Sequence, residues 1–61
     1  MRIESSKRYK VVKFFGDNVN DYGVLPGEDV KRLLRGYTWD DTFGMFFSPK
    51  ANIGYDVKEV A

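Results

Sequence analysis

Neither cysteine nor histidine occurs among the 61 residues of this chain, and that absence constrains its fold more than any residue that is present. A domain of about 60 residues buries only about 60% of the surface its unfolded chain exposes. Disulfides, thiolate metal ligands and the common zinc sites, which fasten many domains of this size, are all excluded. Packing alone has to hold the chain together, and large rings bring the most buried area per residue. The aromatic share of 16% is therefore core material first and a binding surface second.

The pattern predicts one domain over residues 1–61, with residues 1–7 a flexible basic arm. RYKVVKFFG, Arg8 to Gly16, is rich in β-branched and aromatic residues, and its alternation sets Tyr9, Val11 and Phe15 on one face and Val12 and Phe14 on the other. Apolar groups on both faces predict a central strand. Gly16-Asp17-Asn18 is turn chemistry, the acidic stretch to Asp21 reads as a loop, and Tyr22 to Leu25 as a short second strand. PGEDVKRLLRGY then places Val30, Leu33, Leu34 and Tyr37 at i, i+3, i+4 and i+7. Acids in its first turn, bases toward its end and Gly36 as a stop complete the signature of an amphipathic helix. About nine residues of helix do not stand alone in water, so the apolar stripe has to dock on a sheet.

In GYTWDDTFGMFF the alternation of Tyr37 and Trp39, and of Phe43, Met45 and Phe47, predicts a hairpin turning at Asp40-Asp41-Thr42. Pro49 ends its second strand, and Ile53, Tyr55 and Val57 alternate in a last one. The expected fold class is α+β: one short amphipathic helix packed on a small antiparallel sheet of three to five strands. With Tyr37, Trp39, Phe43, Met45 and Phe47 under the helix, Phe46 points to the open side, where it forms an exposed patch with Phe14 or Tyr22.

Net charge is +1 but unevenly spread. Arg2, Lys7, Arg8, Lys10 and Lys13 dominate the start, Gly16 to Asp29 carries four acids and no base, and Lys31, Arg32 and Arg35 follow. Such blocks build a two-signed surface that orients a partner without strong nonspecific affinity for nucleic acid. No apolar run approaches the roughly 20 residues that span a bilayer, and MRIESSKRYK lacks the apolar stretch of a signal peptide. A cytoplasmic protein without membrane contact is expected.

Catalytic chemistry is sparse. The usual general base and the strongest nucleophile are missing, and the adjacent Asp40 and Asp41 point apart in a strand or are solvated in a turn. Asp17, Asn18, Asn20 and Asp21 do not meet the calcium-loop pattern, and LPGEDVKRLLRG has neither the glycine spacing nor the free helix start of a phosphate site. No catalytic residue, metal site or cofactor is expected.

VVKFFGDNVNDYGVL, Val11 to Leu25, resembles the start of a cold-shock domain, where a V-K-W-F strand leads through a polar loop into a G-[FY]-G-F-I strand. The resemblance covers about a quarter of the chain and implies an OB-type barrel on whose exposed rings single-stranded nucleic acid stacks. Lys13, Phe14 and Tyr22 match its binding positions. Phe14 replaces the tryptophan, Asp21 a glycine and Val24 the second ring, the loop is a residue longer, and a helical segment stands where the next strand belongs. FGMFF is similar, more loosely still, to the RNP1 pattern of RRM sheets.

Two functions follow from these residues. The first is a non-enzymatic protein-binding module, a regulator or inhibitor that covers a surface of a larger partner, similar in style to small accessory proteins of phages and mobile elements. Its expected contacts are Trp39 and Phe46 as apolar anchors and Arg32 and Arg35 on the exposed helix face; self-association through an open sheet face or edge strand belongs to the same reading. The second is single-stranded nucleic-acid binding through Lys10, Lys13, Phe14 and Tyr22.

Overall fold

A computed structural model describes residues 1–61. Five strands and one helix follow one another as β1 (Arg8–Phe15), β2 (Asn18–Pro26), α1 (Gly27–Leu33), β3 (Thr38–Asp40), β4 (Met45–Ser48) and β5 (Ile53–Val60). Every pairing is antiparallel and the sheet runs β2-β1-β5-β4-β3. The expected α+β class, one short helix on an antiparallel sheet, is what the chain forms. The sheet is open, with β2 and β3 as its two edges, so the barrel implied by the cold-shock resemblance is not made.

β1 lies between β2 and β5, as its two apolar faces predict. The hairpin into β2 closes at Phe15 opposite Asn18, with Gly16 at φ +58° as the first central residue of a two-residue turn requires. That tight closure starts the ladder at Asn18, and the acidic stretch expected as a loop becomes the first half of an exposed edge strand. Between Val11 opposite Gly23 and Val12 opposite Asp21 the register slips, leaving Tyr22 as the extra residue of a β-bulge.

The helical stripe packs as its spacing demands: Val30 and Leu34 are buried, and Leu33 and Tyr37 lie half-buried against them. They meet Tyr9 and Val11 of β1, Tyr55 and Val57 of β5 and Phe46 of β4. A Val or Leu side chain so removed from water contributes about 1.5–3 kcal/mol. No side chain caps the helix start; instead the Gly27 N–H donates to the Lys7 carbonyl at 2.7 Å. The first residues, expected as a free arm, pack here. Ile3 lies against the core, the Glu4 N–H donates to the Tyr9 hydroxyl at 2.8 Å, and Lys7 Nζ bridges Glu4 and Glu59 at 3.0 and 3.3 Å.

The β3–β4 hairpin corrects the expected order of its rings. Asp40 pairs with Met45 and Trp39 with Phe46, so the loop is Asp41-Thr42-Phe43-Gly44. It is held by the Gly44 N–H on the Asp40 carbonyl and the Thr42 N–H on Asp40 Oδ1, both 2.8 Å. Directly paired residues share a face, and Phe46 therefore joins Trp39 under the helix, only 8% exposed. Met45 and Phe47 turn to the opposite face, and Phe43, in the loop, is 73% exposed.

Candidate functional site

The helix covers one face of the sheet. On the other, alternation along β1 and β5 displays Arg8, Lys10, Val12 and Phe14 beside Gly54, Asp56, Lys58 and Val60. One row across the strands reads Val19, Phe14, Gly54, Phe47, Thr38. Two rings thus flank a residue with no side chain. The Met45 thioether takes the space over Gly54, its Cε 3.0 Å from where a Cβ would stand. Together with Phe43 from the loop, these residues line a shallow groove of about 810 Å³ whose polar rim includes Asp17, Asp56 and Lys58.

The charges on this face are segregated. Arg8, Lys10 and Lys58 lie toward one end, and Asp17 and Asp56 toward the ring-bearing end. Lys10 pairs with Asp21 at 3.2 Å; the Gly23 N–H, which donates to Asp21 Oδ1 at 2.8 Å, and then the Lys10 ammonium hold that carboxyl below the usual carboxylate range. Asp56 and Lys58 form no ion pair within the chain. No group of three or more acidic side chains converges anywhere on the molecule.

The residues expected as sites are divided by the sheet. Phe46, expected as an exposed anchor, is a core ring because the four-residue loop puts it opposite Trp39. Trp39 is half-buried: its ring packs edge-on against Phe46 at 5.1 Å and its Nε1–H donates to Asp41 Oδ1 at 2.6 Å. Arg32 is engaged with Asp29 one turn earlier in the helix, and Arg35 is exposed just beyond the helix end. Of the nucleic-acid set, Lys10 and Phe14 share the open face. Lys13, paired with Tyr55 and Asn20, faces the helix side, and the bulge turns Tyr22 there as well, 6.0 Å from the Tyr55 ring. Burial, followed by the neighbouring Tyr22 and Tyr37 phenols, pushes the Tyr55 hydroxyl up well beyond its ordinary range.

Phe43, Met45 and Phe47, expected under the helix, and Gly54 are the groove residues that belong to neither expected contact set. Gly54 carried a signal: a glycine between Ile53 and Tyr55, inside an otherwise regular strand pattern, marks a place where another group comes close. No family model, curated protein or solved structure matches this chain.

Proposed function

We propose that this chain is a small, non-enzymatic protein-binding module that acts by covering a surface of another protein with the open face of its sheet. One observation carries the reading: the helix screens a single face, while the other gathers Phe14, Phe43, Phe47 and Met45 around a groove with no layer above it. Phe14 is 36% and Phe43 73% exposed, and clustered exposed rings are how interaction surfaces differ from ordinary ones. The nucleic-acid alternative draws less support, because its four residues point to opposite sides of the sheet and Lys10 is already paired.

A photo-crosslinking residue in place of Phe43, irradiated in the cells that make the protein, tests this. The expected product is a covalent adduct heavier than the 7.1 kDa chain, lost when Phe47→Asp is added and absent when the crosslinker replaces Lys31 on the helix. Irradiation that leaves the Phe43 variant, folded by circular dichroism, as the free chain overturns the reading.

A further inference from the structure

Taking the open face as a docking surface, we infer that its occupant is a second copy of this chain, related to the first by a two-fold axis running across the strands. The charge order along the two inner strands carries the inference. Val11 and Val57 are partners in the β1–β5 ladder. An axis passing over both reverses residue order along each strand, so Lys58 of one copy lies over Asp56 of the other, and Asp56 over its Lys58. Each is one residue from the axis, roughly 3.3 Å along the strand, where the usual rotation of about 30° between packed sheets displaces it least. These are the two charged side chains of β5 that face the open side, and neither has a partner within its own chain.

The same operation lays the Arg8 end of β1 toward the second copy's Phe14 end, a cation over a ring, and brings Val60 toward the hollow beside Gly54. An axis along the strands would instead stack Lys58 on Lys58 and Asp56 on Asp56, which like-charge repulsion disfavours. Size sets the strength. β2, β1 and β5 run the length of the face, whereas β4 and β3 lie beside only its Gly54 half, so the axis superposes three strands in full, a face of roughly 14 by 20 Å. Two such faces bury on the order of 600 Å² together, the size of a weak, transient contact. Val12 and Phe14 supply the apolar area of the superposed strands, and the Asp56–Lys58 pairs choose the register rather than the strength. The assembly is two sheets face to face with a helix on each outer side, and it dissociates on dilution.

Sedimentation equilibrium from about 10 µM to about 1 mM, a range that brackets interfaces this small, tests the inference on four chains: the natural one, Asp56→Lys, Lys58→Asp and the double exchange. The natural chain is expected to move from 7.1 kDa toward twice that mass. Each single exchange should weaken the dimer by about tenfold or more, and the double exchange should return it to within about threefold of the natural value. All four chains are first checked for the same amide dispersion by NMR. A natural chain that stays monomeric throughout, a dimer indifferent to the single exchanges, or a double exchange no better than either single one overturns the pairing. A monomer that nevertheless crosslinks through position 43 to a heavier protein leaves the docking surface standing and rejects only the second copy as its occupant.

Discussion

Replacing Gly27 by alanine sets two physical rules against each other. Gly27 opens α1, and in an exposed helix glycine to alanine stabilises by roughly 0.5–1 kcal/mol. The local geometry predicts the opposite sign. A Cβ on Gly27 would stand 1.8 Å from the Glu4 carbonyl oxygen, 2.7 Å from its carbon and 3.1 Å from the Lys7 oxygen. All three are backbone atoms, so no rotamer change relieves the overlap, and the segment Ile3–Lys7 has to move off the helix by more than an ångström. Besides the exposed Lys7–Glu59 ion pair, which contributes little, three interactions hold that segment: the Glu4 N–H on the Tyr9 hydroxyl, the Gly27 N–H on the Lys7 carbonyl and the packing of Ile3 on the core. At about 1 kcal/mol each, less the helical gain of about 1 kcal/mol, their loss leaves a net cost of about 2 kcal/mol.

A core of this size supplies no more than about 3–5 kcal/mol in total, so Gly27→Ala should lower the melting temperature by roughly 8–16 °C. The assay is a thermal melt followed by far-ultraviolet circular dichroism and Trp39 fluorescence, with Ile3→Ala made in both backgrounds. If the overlap displaces the segment, Ile3 has already lost its packing, and Ile3→Ala costs about 1 kcal/mol less beside Gly27→Ala than alone. An unchanged or raised melting temperature refutes the reasoning, and strict additivity of the two substitutions refutes its mechanism.

The ring assignments and the Tyr55 environment are tested in the same way. Phe46→Ala should cost about 3 kcal/mol or more, close to the whole stability of the domain, whereas Phe43→Ala should stay within about 0.5 kcal/mol in urea denaturation; comparable costs would place Phe46 outside the core. Because the folded state raises the Tyr55 hydroxyl above its ordinary value of 10.0, the stability it confers is fully present below about pH 10 and falls as pH rises beyond it. The difference between ultraviolet titrations of the natural chain and of Tyr55→Phe should show the Tyr55 phenol ionising only well above its ordinary value; a difference that appears at the ordinary value in a folded chain would exclude it.

The elements themselves were legible in the sequence wherever one local rule decided them. Val30, Leu33, Leu34 and Tyr37 at helical spacing, with acids before and bases after, define α1 because a stripe and a dipole point the same way. Strand β5 was equally plain in the alternation of Ile53, Tyr55 and Val57. The first residues were not: MRIESSK has the composition of a tail, and what fixes it is tertiary, the missing Cβ of Gly27 and the Tyr9 hydroxyl. Neither reveals its partner until the chain is folded.

The site was harder to read because a strand's side chains carry one binary choice, and a single residue of phase reverses every one of them. Two such phases decide this molecule. The loop between β3 and β4 has four residues where Asp40-Asp41-Thr42 suggested three beginning one position earlier, and that displacement exchanges Phe46 with Phe47. The bulge at Tyr22 inserts one residue opposite β1 and sends Tyr22 to the helix side, away from Phe14. Composition knows nothing of phase, so the same ten aromatic residues were compatible with either face as the open one. What removes the ambiguity is burial: Tyr55 and Val57 must lie under Val30 and Leu34, and this obliges Gly54, Asp56 and Lys58 to face the other way. The core thereby selects, without any contact of its own, which charges and rings are left on the open face.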